Sequence, residues 1–295
     1  MARLIGRLSF LLGLFGILSI AGCSDPPPSP PPPYQGLSLR KDVIFATTRR
    51  WETHKLEWVE ALEGGVNLVA KPPADRLRSP RITVLIHGYA AGDKDASPYF
   101  AGLIDHLVLD NRYAHTIVVY DWPSLARHWT DLTANEQFAY IQFLMATVGE
   151  KNFGRVPGLP PHVRWEIQEY TKDGLAARDA GAKGLLVLLK TLSELAPDSE
   201  IDLIAHSMGT FVLSSALERL GKQSHRLGTI VLIAPDLEHG VLENAYWRAA
   251  KGKVHVLFSR HDFVLAKISR IMNFLPRLGA SGPRNPKALP ASIVL

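Results

Sequence analysis

Glu200-Ile201-Asp202-Leu203-Ile204-Ala205-His206-Ser207-Met208-Gly209-Thr210 is the stretch around which the rest of the chain is organised. Ile201, Leu203 and Ile204 form an apolar run that reads as a buried strand. Beyond it, Phe211, Val212, Leu213, Ala216, Leu217 and Leu220 recur at helical spacing. Strand, sharp turn, Ser, helix is the context of a nucleophile elbow. Such a turn holds its Ser in strained backbone geometry, and large neighbours would collide with the strand and helix it joins. Ala205 and Gly209 are the small neighbours, giving A-x-S-x-G where the strict pattern is G-x-S-x-G. A helix N-terminus directly behind Ser207 would favour negative charge on a substrate oxygen.

Upstream of this stretch, Asp42-Val43-Ile44-Phe45-Ala46-Thr47-Thr48 reads as a strand. Weaker strand signals at 56–59 and 66–69 bracket Gly64-Gly65, a hairpin turn, and 71–80 reads as a polar loop. Arg81-Ile82-Thr83-Val84-Leu85-Ile86 is a strong buried strand ending in His87-Gly88-Tyr89. A helical face follows at 96–110, then Thr116-Ile117-Val118-Val119-Tyr120, a strand ending in Asp121-Trp122-Pro123-Ser124. Between 125 and 170 the pattern breaks. This segment is either a cap inserted over the sheet's edge, with Trp129, Phe138, Phe143, Phe153 and Trp165 lining a pocket, or two connecting helices with a long loop.

Residues 173–195 form a long helix with Ala182, Leu185, Leu186, Leu189 and Leu192 on one side. Beyond the elbow, 229–234 is a strand ending in Pro235-Asp236, and 241–250 is helical. The strand 254–258 ends in Ser259-Arg260-His261-Asp262; a short helix over 264–274 and a Pro/Gly-rich coil follow. Alternating strands and helices imply a mostly parallel sheet with helices on both faces. Ligands bind at the C-terminal ends of such strands. His87-Gly88-Tyr89, Asp121, Ser207, Asp236 and Asp262 all fall there, and that convergence weighs more than any single motif.

Length and composition agree with one α/β domain plus attachments: 295 residues, 46% hydrophobic. The formal charge is +5, to which Arg3 and Arg7 contribute two, and the rest is diffuse. There is no basic stripe interleaved with aromatics, so no nucleic-acid partner is expected. Cys23 is the single cysteine, which excludes an internal disulfide and a cysteine-built metal site.

Arg3, Arg7 and the apolar run 8–21 make residues 1–22 a signal peptide, too short an apolar run for a membrane span. Ile20-Ala21-Gly22-Cys23 resembles the bacterial lipoprotein signal, in which the Cys becomes the lipid-modified first residue. The alternative is an ordinary cleavage site or uncleaved anchor with an incidental Cys. Ser24 after the Cys points to the outer membrane, with the domain facing the periplasm. Residues 23–36 then form an anchor and Pro-rich tether, extended at about 3.1 Å per residue, and 37–295 the folded domain. The expected partners are the membrane, through Cys23, and a small-molecule ester.

Phe45-Ala46-Thr47-Thr48-Arg49, His87-Gly88-Tyr89, Trp122-Pro123-Ser124, Ala205-His206-Ser207-Met208-Gly209, Ala234-Pro235-Asp236, Ser259-Arg260-His261-Asp262 and Pro276-Arg277-Leu278-Gly279 occur in an order and spacing that resemble an α/β hydrolase. The chain most resembles a bacterial group with an esterase/lipase-like core and no assigned function, over about residues 40 to 280. The resemblance implies Ser207 as nucleophile and the backbone N–H groups of Met208 and Tyr89 as oxyanion hole, each donor worth roughly 3 kcal/mol. It implies Asp262 as the acid, with Asp236 as runner-up, carboxylic ester hydrolysis as the reaction, and neither metal nor organic cofactor. Asp262 also reads as a helix N-cap. His87 and His206 read as local hydrogen-bonding residues.

The fold's chain order is Ser, acid, His, and no histidine follows Asp262. Three readings stand. In the first, Ala291-Ser292-Ile293-Val294-Leu295 opens a truncated last strand with the His-bearing loop beyond it. In the second, His261 is the base and Asp236 the acid. In the third, the chain is a catalytically incomplete hydrolase fold, a lipid-tethered binding or scaffold module.

Overall fold

A computed structural model of the chain describes residues 43–48, 56–62, 65–72, 74–89, 103–104, 113–124, 170, 173–220, 227–262, 264–273 and 275–295. The signal peptide, Cys23, the tether, the tip of the 64–65 turn, most of the 96–110 helix and the cap segment 125–169 lie outside these residues. Among the described residues no helix is long and apolar enough to cross a membrane.

Nine strands form one sheet: β1 (Val43–Thr47), β2 (Glu57–Leu62), β3 (Gly65–Val69), β4 (Arg81–Ile86), β5 (Thr116–Asp121), β6 (Glu200–His206), β7 (Leu227–Ile233), β8 (Val254–Leu257) and β9 (Ile293–Val294). Their spatial order is β3-β2-β1-β5-β4-β6-β7-β8-β9. β2 pairs antiparallel with β1 and β3, and every other pairing is parallel. The terminal pair Ile293 and Val294 adds a strand beside Val254 and His255.

The near-continuous apolar strands are apolar because both faces are covered. Period-two alternation divides them. Ile44, Val84 and Val118 enter the larger core with the helices of the elbow side. Phe45, Leu85 and Val119 sit side by side in register and enter the second core with Ile104. The mostly parallel sheet with helices packed against it, an α/β-hydrolase-type architecture, is therefore present.

Several expectations need correction. The helix over 173–195 is not regular: Ala180–Leu185 is π-helical before the α-helix α1 (Leu186–Leu195). The extra residue in the turn shifts the buried face to Gly181, Gly184, Leu185, Leu188, Leu189 and Leu192, leaving Ala182 and Leu186 partly exposed. A Cβ at Gly181 would overlap the Val212 carbonyl, so this run lies directly on α2 (Gly209–Leu220). The loop 71–80 contains a 3-10 turn, Ala74–Leu77. Residues 241–250 form two 3-10 turns, Val241–Glu243 and Ala245–Ala249, instead of one helix. The helix after Asp262 is π-helical over Val264–Ser269 and α-helical only in α3 (Arg270–Asn273). The Pro/Gly-rich coil holds a short helix, α4 (Leu278–Ser281), whose Leu278 and Gly279 donate to Leu237 and Pro235 carbonyls. Tertiary hydrogen bonds outweigh the weak local propensity there.

β4 has β5 on one side and β6 on the other, so the chain reverses direction across the sheet at β4. Crevices at such switch points hold ligands in open parallel sheets. The turns after β4 and β6 meet there.

Candidate active site

Ser207 follows β6 with φ 48°, in the left-handed region that a residue with a Cβ enters at a cost. The strain is held from two sides. Its N–H donates to Ile233 O at 3.0 Å, and its carbonyl accepts from Thr210 N–H (3.0 Å), Thr210 Oγ1 (2.6 Å) and Asp236 N–H (3.3 Å). Ala234, between Ile233 and Asp236, also has a positive φ, 44°. A sharp turn after β7 thus braces the sharp turn after β6.

The flanking small residues are required by contact. A Cβ on Gly209 would run into the backbone carbonyls of His87 and Ile86, and one on Gly88 would lie 2.9 Å from Ser207 Cβ. The loop after β4 is therefore pressed against the elbow at Gly88, the residue before Tyr89. Met208 is fully buried, and its N–H donates to no acceptor among the described residues. An oxyanion hole is built from backbone N–H donors that can bond a substrate oxygen.

His87 is fully buried and holds the loop instead of serving Ser207. Its Nε2 accepts from Trp122 N–H at 3.2 Å, its carbonyl accepts from Trp122 Nε1 at 2.9 Å, and the two rings stack at 5.1 Å. Asp121 lies beside the same ring at 3.3 Å and accepts from Thr47 Oγ1. His206 has its pKa pushed down to about 4, by burial first and then by His87, so it is neutral at pH 7. Asp121 and Trp122, which contact His87, lie on the neighbouring β5 and its following turn.

The two aspartates differ. Asp262 caps the helix behind it: Oδ1 accepts from Leu265 N–H at 2.9 Å. Burial, and then the charge of Asp236, hold its carboxyl above the usual range. His261 is exposed, and its N–H donates to Ser259 Oγ. Asp236 is 1% exposed and fully engaged. Arg277 Nε donates to Oδ1 at 2.7 Å, and its Nη2 donates to the Asp236 carbonyl. Ser269 Oγ donates to Oδ1 and Tyr170 Oη to Oδ2. No hydrogen bond joins Asp236 to His261 among the described residues.

Tyr170, Ser269 and Arg277 were not singled out as site residues from the sequence. Arg277 stands in the Pro276-Arg277-Leu278-Gly279 motif, which was the one signal available. Beside them, on the flank of α2, a groove of about 400 Å³ is lined by Phe211, Arg178, Tyr246 and Arg277. The guanidinium carbons of Arg178 and Arg277 lie 5.5 and 5.3 Å from the Phe211 ring centre. Among the described residues no three His, Cys, Asp or Glu side chains gather as metal ligands.

The base of the 125–169 segment is also visible. Ser124, at its start, donates to Asp173, just past its end, at 2.9 Å, with both side chains fully buried.

No curated protein matches the chain. A family model described as an alpha/beta hydrolase of unknown function (DUF900) matches residues 74–292, which include every strand from β4 to β8 and both elbow loops. With the sheet order, the strained serine and most of the chain in agreement, the protein belongs to this alpha/beta hydrolase family.

Proposed function

We propose that the protein is a serine hydrolase that cleaves a carboxylic ester. Ser207 Oγ attacks the ester carbonyl as its proton passes to a histidine base, and the carbonyl oxygen takes the negative charge under the N–H groups of Met208 and Tyr89; the bond to the alcohol breaks as the base returns the proton to it, and a water deprotonated by the same base then releases the acid and Ser207. Asp262 is the acid that orients the base. The observation that carries this reading is Ser207 itself, a non-glycine residue held at φ 48° by bonds to the β7 turn. Strain of this kind persists where the surroundings over-determine it, and it clusters at reactive sites. The pair Asp236–His261 is a poorer choice, because Arg277, Tyr170 and Ser269 already occupy the Asp236 carboxylate.

The test is labelling of the 295-residue chain with a fluorophosphonate probe, beside Ser207→Ala. Labelling of the wild type that disappears in the variant supports the reading. A folded wild type that takes no label overturns it in favour of a binding or scaffold module.

We also propose tethering to the bacterial outer membrane through lipidated Cys23, with the domain in the periplasm; the placement of Cys23 behind Ala21-Gly22 supports it. Radiolabelled palmitate should enter the wild type and not Cys23→Ser. Equal incorporation in both would sink the anchor.

A further inference from the structure

The Asp236 carboxylate lies in the interior beneath the elbow, and the groups around it belong to three distant parts of the chain. Arg277 holds both the carboxylate and the carbonyl of Asp236. Leu278 N–H and Gly279 N–H donate to Leu237 O (2.7 Å) and Pro235 O (2.8 Å). Residues 277–279 therefore grip the turn 235–237 on both sides of Asp236. That turn in turn holds Ser207, because Asp236 N–H donates to the Ser207 carbonyl. On the other side of the carboxylate stands Tyr170, whose ring lies 5.4 Å from the Tyr89 ring at 50°. Its hydroxyl also lies 2.8 Å from Ser269 Oγ. Burial and the Asp236 charge keep the Tyr170 phenol protonated, so it remains a donor.

Resting on the ester-cleaving reading above, we propose that Tyr170, Asp236 and Arg277 form one positioning device for the oxyanion site. Through Arg277 and the Asp236 backbone it fixes the Ser207–Met208 peptide; through the Tyr170 ring it fixes Tyr89. None of the three touches the reacting atoms. Each acts through the backbone of a neighbour, which explains why a buried carboxylate at this sheet edge is paired with a guanidinium instead of an imidazole. A buried ion pair is seldom retained for stability alone, since apolar residues of similar volume often serve as well. Small displacements of oxyanion donors cost rate steeply.

Tyr170→Phe keeps the ring and removes the hydroxyl bond to Asp236. The fluorophosphonate labelling rate, and kcat on a short-chain nitrophenyl ester, should fall about tenfold with KM unchanged. Hydrogen exchange of the peptide spanning 204–211 should quicken in the same variant. Tyr170→Leu, which also removes the ring from Tyr89, should lower kcat further. With a reactive wild type, an unchanged labelling rate in folded Tyr170→Phe overturns the proposal, even if the thermal midpoint drops, because a purely structural role moves only the midpoint. If the wild type takes no label, the ester-cleaving reading has failed on its own. Exchange at 204–211 then decides: quicker exchange keeps the positioning device, and unchanged exchange removes it.

Discussion

The turn after β7 and the turn after β8 each place an aspartate at the same sheet edge, and they treat it in opposite ways. Asp236 has an arginine, a tyrosine and a serine on its two oxygens and almost no exposure. Asp262 is half-buried and, among the described residues, accepts only from backbone N–H groups of the helix behind it, those of Leu265 and Val264. Three of the roughly four lone-pair sites of the Asp236 carboxylate already hold donors, so little of it is left to orient an imidazole. The more buried and better-paired acid is thus the worse catalytic candidate. On the reading proposed above, the depth of Asp236 marks it as part of the frame, and the sparser surroundings of Asp262 favour it for the acid's role.

The largest expected effect would break this contrast outright. Asp262→Asn keeps a helix-capping side chain, so the fold should survive while ester hydrolysis falls by roughly 10³- to 10⁴-fold, as for the loss of an orienting acid. Rates measured on the purified variant within a few-fold of wild type would return the acid role to Asp236. Next is Arg277→Met, which strands a buried carboxylate and should cost about 3–5 kcal/mol in urea unfolding. A loss below about 1 kcal/mol would mean that the Asp236 site is wetter than its burial indicates.

The smallest effect extends the contrast to the turn between them, after β6. His206 is half-buried and neutral, with its pKa lowered from 6.5 to about 4. Between those values the unfolded chain binds a proton that the folded chain does not. Stability should therefore fall as pH drops through that window, by about 3 kcal/mol in total, and stay level above it. Urea midpoints from pH 7 to 4 should show a shallower fall in His206→Asn, and identical curves would refute the assignment.

What could be read from the sequence was what depends on neighbours close in the chain. The strands β4, β5 and β6 announce themselves as apolar runs, and Ala205, Ser207 and Gly209 encode the elbow by size alone. Asp262 as a cap was visible because its partner Leu265 is three residues away. The Asp236 site was not, because Tyr170 and Arg277 lie 66 and 41 positions from it and no periodicity links them. The π-helical stretch at Ala180–Leu185 escaped for a related reason: its buried face depends on α2 lying against Gly181, a contact between separate elements.

The hydrogen bond between Ser124 and Asp173 has a consequence of a different kind. Ser124, at the end of the segment after β5, and Asp173, at the start of the long helical run, meet in one buried contact although 49 positions separate them. Insertions are tolerated where their two ends lie close together on an intact scaffold. A change of chain length between Ser124 and Asp173 should therefore leave the pairings of β4, β5 and β6 as they are.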